Sequence, residues 1–285
     1  MKQKIIYALV AGLFTMPIMA QKGNSVLWEI SGKKLEKPSY LFGTIHLTCD
    51  ATLKPKVLKA LENTDQVFLE IDMDDPEMNN KMMANLNMKN GKKISEIATE
   101  EQYKTINTFL ESNFNISLNL LDTYKPFFIQ SMLYTKMIDC PMQSFETELV
   151  KKALADKEQV YGLETIESQL AIFDEIPYNK QIEDLVVMIA DINLNKNNEL
   201  VEMNAAYEAE NLDELMQIIA RSEVKTNNMY QEELLTKRNQ NWIPIIAEQA
   251  AEKPTFFGIG AAHLKGKNGV IKLLKKQGYK VKPVL

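Results

Sequence analysis

The residues best suited to chemistry are His46 and His263, the two histidines of the 285-residue chain. Each closes the same local pattern. The apolar run Tyr40-Leu41-Phe42 leads into Gly43-Thr44-Ile45-His46, and Thr255-Phe256-Phe257-Gly258-Ile259 leads into Gly260-Ala261-Ala262-His263. A scarce residue that binds metals and moves protons near neutral pH thus occupies two equivalent settings at opposite ends of the chain. The expectation is that the fold brings both to one site. Two acids share a similar setting, because Leu69-Glu70 and Leu163-Glu164 each end a short apolar run.

Two imidazoles with carboxylates suit a divalent transition ion that keeps an open position. Mn, Co, Zn and Fe are not distinguished by this donor set. Water on such an ion ionises near neutral pH and becomes a nucleophile. A carboxylate not bound to the ion can then act as general base. His46, His263, Glu70 and Glu164 are therefore candidate metal ligands, and Glu70 and Glu164 are also candidate catalytic groups. The glycine before each histidine is expected to let the chain turn tightly and come close to a ligand. Taken singly, a histidine is more often a satisfied core or surface residue, and a strand-end glutamate is more often solvated or ion-paired. The repeated Gly-x-x-His is what favours a joint site.

The elements that must position these groups are short strands. Residues 25–30, 40–42, 66–71, 159–164, 255–259 and 280–284 read as strands by alternation or by short apolar runs. Helical spacing is expected over 54–63, 100–112, 126–138, 147–157, 167–173, 180–192, 199–210, 213–221, 230–252 and 268–277. Asn211 or Asp213 is a suitable cap for the helix over 213–221, and Pro244 is expected to kink or restart the helix over 230–252. The arrangement argues an α/β fold, a mixed sheet with flanking helices and a helical insertion over about 95–250. Ligands of open α/β sheets sit beyond the carboxyl ends of the strands, which is where all four candidate residues fall. Asp72, Asp74 and Asp75 crowd before Pro76, and Met78, Met82, Met83 and Met88 follow on an expected helix. That stripe either packs as an adaptable core or lines a groove for varied apolar chains.

A net charge of −5 with no arginine-rich run argues against nucleic acid as a partner. Lys2 and Lys4 precede an apolar core over 5–16, then Pro17 and Ile18-Met19-Ala20, so residues 1–20 read as a secretory signal. The mature domain is then 21–285, exported to the periplasm or secreted, with no later run near the ~20 apolar residues of a membrane helix. In an oxidising compartment Cys49 and Cys140 either form a disulfide that ties the first histidine loop to the middle of the chain or remain two separate thiols.

Gly43-Thr44-Ile45-His46, the strand with Glu70, Phe145-Glu146 leading a helix, Gly162-Leu163-Glu164-Thr165, Arg238-Asn239 with Trp242, and Gly260-Ala261-Ala262-His263 together resemble the TraB/GumN family, which includes the Tiki proteases and is related to ChaN and the erythromycin esterases. The resemblance implies a fold of the erythromycin-esterase/ChaN-like type. For the Tiki branch it implies a metal-dependent peptidase whose histidines and glutamates form the site, acting on a peptide or small-molecule substrate. Carried over by position, His46 and His263 are ligands or catalytic imidazoles, Glu70 and Glu164 are ligands or bases, and Arg238 orients a carboxylate or binds an anionic intermediate, as its planar fork suits. The i, i+4 spacing of Arg238 and Trp242 would let the guanidinium rest along the indole; otherwise Arg238 is a surface residue. The relationship to ChaN implies an alternative, a haem-, iron- or metal-binding protein without catalysis. A third reading is a degenerate member that only recognises peptides or envelope proteins through its methionine-lined face.

Overall fold

The computed structural model describes residues 24–196, 198–224 and 229–285, so the expected signal at 1–20 lies outside the described residues. Six strands form one mixed sheet: β1 (Leu27–Ser31), β2 (Ser39–Thr44), β3 (Val67–Leu69), β4 (Val160–Gly162), β5 (Phe256–Gly260) and β6 (Lys280–Pro283). Their order across the sheet is β4-β3-β5-β2-β1-β6. The neighbours β4, β3, β5 and β2 run parallel. β1 is antiparallel to both β2 and β6. Parallel strands are covered on both faces and so read as continuous apolar runs. β5 is accordingly buried at every position, and so is β3.

The helices are α1 (Pro55–Leu61), α2 (Met78–Ala84), α3 (Ile94–Ile97), α4 (Glu100–Phe114), α5 (Pro126–Leu133), α6 (Phe145–Asp156), α7 (Ile166–Glu175), α8 (Tyr178–Asn193), α9 (Asn198–Glu208), α10 (Leu212–Arg221), α11 (Lys237–Glu252) and α12 (Val270–Lys276). Asn211 caps α10 by accepting from Glu214 N. Two apolar cores result. One surrounds the sheet and includes Phe42, Leu69, Phe257 and Trp242. The other holds the helices together through Ile106, Leu110, Ile129, Leu133, Ile182 and Leu185.

Three local expectations change. The methionine stripe does not form one core helix, since α2 stops at Ala84 and buries none of its residues. Of its methionines, Met88 is buried beyond the helix end, while Met83 is 61% exposed. Asn85 and Asn87 follow α2, and Asn90 takes a left-handed conformation, which asparagine tolerates and a helix does not. Pro244 lies inside α11, which runs through it. The irregular turn is a π-helical one over Glu232–Thr236, just ahead of α11. Finally, neither Gly43 nor Gly260 has the positive φ of a turn glycine; both serve close packing instead. A Cβ on Gly43 would lie 2.5 Å from Leu264 Cδ1.

Candidate active site

Because β4, β3, β5 and β2 are parallel neighbours, their carboxyl ends share one edge. Thr44 pairs with Gly260 in register, so the two Gly-x-x-His loops leave adjacent strands side by side. Glu70 follows the last residue of β3. The ladder between β3 and β4 continues past both strand ends, with Leu163 N donating to Leu69 O (2.8 Å) and Glu164 N to Glu70 O (2.9 Å). That continuation sets the two acids next to each other.

Gly260 is where the groups meet. Its N–H donates to Glu70 Oε1 at 2.7 Å. A Cβ on this residue would stand 3.1 Å from Glu70 Oε1, 3.4 Å from His46 Nε2 and 3.6 Å from His263 Cδ2. The missing side chain therefore leaves a cradle faced by one carboxylate and both imidazoles. His46, Glu70 and His263 come together there, whereas Glu164 lies on the far side of Glu70 and is turned to Arg238.

The first loop is held by an acid. His46 Nδ1 donates to Glu146 Oε1 at 2.8 Å, since an ionised carboxylate only accepts. Glu146 Oε1 also accepts from Thr44 Oγ1, and its Oε2 from Ser144 Oγ, both at 2.6 Å. Ser144 is the N-cap of α6, which places Glu146 in the first helical turn, where negative charge is favoured. Burial disfavours a charged His46, but the hydrogen bond and charge of Glu146 outweigh it and raise the pKa to about 9. The ring's own side chain is 63% exposed and Glu146 only 10%, so one ring edge is buried on the acid and the other reaches solvent. Burial likewise opposes the Glu146 charge, and the bonds from His46, Ser144 and Thr44 lower its pKa in spite of it. Cys49 and Cys140 form a disulfide. The bridge between Thr48 and Gln143 lies beside it, so the chain just after His46 is fastened to the chain just before Glu146.

The second loop is held by an amide. Asn239 Nδ2 donates to Asn268 O at 2.9 Å, which orients Asn239 Oδ1 toward His263 Nδ1 at 2.6 Å. His263 Nδ1 thus carries the ring proton, and Nε2 accepts from Arg238 Nη1 at 3.2 Å. Trp242 packs against the ring at 4.5 Å. Burial, aided by Arg238 and His46 and opposed by Glu70, lowers the His263 pKa to about 3, so this imidazole is neutral.

Burial also works against the Glu70 carboxylate, but His263, Arg238, His46 and the Gly260 N–H hold its pKa down to about 2. With His263 neutral, the formal charges responsible are Arg238 and His46. Glu70 Oε2 accepts from Arg238 Nη2 at 2.5 Å and from Gln169 Nε2 at 3.1 Å. Glu164 Oε1 accepts from Arg238 Nε (3.0 Å) and Nη2 (2.7 Å) and from Gln169 Nε2 (3.2 Å). Burial and the neighbouring Glu70 raise its pKa although Arg238 pulls it down. The guanidinium lies 4.7 Å from the Trp242 ring, as the i, i+4 spacing predicts. Beside Glu164 a cavity of about 340 Å³ opens, lined by Asp72, Met78, Lys81, Leu163 and Ile166 among others.

Among the described residues, no group of three or more His, Cys, Asp or Glu side chains is spaced to hold a metal ion as it stands. The donors still fit one in two respects. The Gly260 cradle is faced by two imidazoles and a carboxylate, a set that suits a divalent transition ion. Each imidazole also gives its Nδ1–H to a fixed acceptor, Glu146 or Asn239, which is how metal-binding histidines are usually oriented. What stands against closure is Arg238, which lies on His263, Glu70 and Glu164. Sequence reasoning assigned no role to Asn239, Gln169, Thr44 or Ser144. Ser144 carried a readable signal, as a helix cap two residues before an acid, and Thr44 and Asn239 lay within the stretches that carry the family resemblance.

The family model described as TraB/PrgY/gumN matches residues 26–283. Metalloprotease TIKI1 of Xenopus tropicalis is 24% identical over 321 residues, covering 90% of this chain and 61% of the relative. Metalloprotease TIKI1 of Danio rerio is 20% identical, covering 90% and 63%. Metalloprotease TIKI2 of Danio rerio is 19% identical, covering 93% and 62%. The chain thus spans about three-fifths of the length of these curated relatives. No solved structure matches it.

Proposed function

Since the chain belongs to the TraB/PrgY/gumN family, we propose that it is an exported metal-dependent hydrolase, acting on peptides. The observation that carries this reading is the convergence of His46 Nε2, Glu70 Oε1 and the His263 ring on the Gly260 cradle. The relatives named metalloproteases support the reaction class. The Cys49–Cys140 disulfide supports an oxidising compartment. No helix among the described residues is long and apolar enough to cross a membrane.

His46, His263 and Glu70 would hold the ion, with Glu164 next to them. A divalent ion there would polarise a carbonyl and acidify water. The chain's own residues do the rest. Glu146 keeps the His46 Nδ1 proton in place and turns Nε2 to the cradle. Asn239 does the same for His263. The Gly260 N–H fixes one oxygen of Glu70. Glu164, whose pKa is raised, is the carboxyl best placed to accept and return a proton, because a raised pKa nearer the working pH favours both steps. The cavity beside Glu164 gives the substrate a place next to that carboxyl.

The same cradle favours hydrolysis over haem binding. A porphyrin needs a flat apolar slot between its axial ligands, and here Glu70 stands between the imidazoles while the neighbouring cavity carries Asp72, Asp75 and Lys81. The test is hydrolysis of a peptide library by the mature protein, with metal content measured in parallel. His46→Ala and His263→Ala are each expected to lose on the order of 10²-fold or more and to retain less metal. Full activity in either variant would sink the proposal.

A further inference from the structure

Arg238 has five N–H donors, and all of them are engaged by the protein. Nε and Nη2 go to Glu164 Oε1, Nη2 also to Glu70 Oε2, and Nη1 to the Leu234 carbonyl (3.0 Å) and His263 Nε2. A side chain so occupied has no donor left for a substrate carboxylate or an anionic intermediate. Two of its acceptor residues, Glu70 and His263, are ones that would hold a divalent ion, and a third, Glu164, is the carboxyl beside them. A second observation lies beside it. The Trp242 side chain is fully buried, yet its indole N–H has no hydrogen-bond partner. It stands near enough to Glu164 to favour the ionised carboxylate without making a well-formed hydrogen bond to it. A buried donor without a partner is costly, and here the carboxylate it stands near is one that Arg238 already holds.

We propose that Arg238 is a built-in cation that competes with a divalent metal for Glu70 and His263 and ties up the neighbouring Glu164, so that the ion loads only as the guanidinium withdraws. This rests on the metal-dependent reading of the site. With Arg238 in place the charge of the two carboxylates is partly offset and the His263 Nε2 lone pair is taken. A divalent ion and a guanidinium on the same Glu70 carboxylate repel each other. When the guanidinium leaves, the Trp242 N–H becomes the donor for Glu164. The indole face, already 4.7 Å from the guanidinium, receives the displaced charge. The π-helical turn over Glu232–Thr236 precedes Arg238 and contains Leu234, whose carbonyl holds Nη1. Such turns recur at functional sites, and this one gives the arginine a locally irregular base on which to move.

The test is calorimetric titration of Zn²⁺, and separately Mn²⁺, into chelator-treated protein, with thermal unfolding at each metal concentration. Arg238→Met removes the charge and keeps much of the volume. It is expected to bind Zn²⁺ at least tenfold more tightly than the unaltered protein and to gain more Tm from added Zn²⁺. Arg238→Lys keeps the charge without the fork and is expected to fall between the two. A folded Arg238→Met that binds Zn²⁺ no more tightly overturns the competition and leaves the metal reading standing. Absence of Zn²⁺ and Mn²⁺ binding in all three proteins overturns the metal reading and this proposal with it. Should Arg238→Met not fold, Trp242→Phe decides. Loss of the waiting donor is expected to weaken Zn²⁺ binding at least threefold, and unchanged affinity overturns the proposal.

Discussion

The two Gly-x-x-His loops leave neighbouring parallel strands in register, yet their imidazoles are held in opposite states. His46 gives its Nδ1 proton to a buried carboxylate, keeps an exposed edge and has a raised pKa. His263 gives its Nδ1 proton to an amide oxygen, is buried against an arginine and an indole, and has a pKa pushed far down. A shared motif thus sets where a histidine sits, while the partner behind it sets its charge. Before an ion binds, the site thus pairs a cationic imidazole with a neutral one, and for His46 to hold an ion it must first give up its Nε2 proton.

The largest expected break falls on the first loop alone. Replacing Cys49 and Cys140 by serine frees a closure spanning 91 residues and is expected to cost about 2–5 kcal/mol in denaturant unfolding. The His46 ring should become more mobile while His263 does not. Equal loosening of both rings would show that the loops are not separately anchored.

The two motif glycines should fail differently. Gly43→Ala forces a Cβ to 2.5 Å from Leu264 Cδ1, an overpacking expected to cost about 1–3 kcal/mol. Gly260→Ala meets its nearest atom at 3.1 Å. It is expected to cost less stability and instead to fill the cradle, lowering metal affinity by about tenfold or more. Unfolding curves and metal titration of the two variants check this, and matching losses in both assays would erase the distinction.

A smaller effect concerns pH. The folded pKa of His46 lies above the ordinary 6.5, so its pairing with Glu146 stabilises fully below about pH 6.5 and fades as pH rises through about 9. For His263 the folded pKa lies below 6.5, so stability is lost as pH falls from about 6.5 toward 3. Glu146→Gln is expected to remove the alkaline slope and leave the acidic one. His263→Gln should do the reverse. Unfolding measured across pH 4–9 (on the order of the window these pKa values span) tests both.

Much of the fold was legible because short apolar runs punctuated by glycine and charge mark buried parallel strands, and the strand ends place His46, Glu70, Glu164 and His263. Placement on a common edge followed from strand order, which the βαβ pattern favours. What could not be read was the partner of each side chain. Asn239 and Gln169 lie on helices, and which way a helix face turns is decided by packing rather than by spacing. The core reading of the methionine stripe failed for the same reason, since α2 buries none of its residues, while Met78 lines the cavity beside Glu164. Arg238 was expected to orient a carboxylate or bind an anionic intermediate, or else to lie at the surface; it is largely buried, with its donors on Glu164, Leu234, His263 and Glu70.

The most direct test of two unlike imidazoles in one site is nuclear magnetic resonance titration of the ring signals, assigned with His46→Gln. Only two rings contribute. The account predicts that His46 titrates near 9 and that His263 stays neutral down to about 3. Two rings titrating together near the ordinary 6.5 would contradict it.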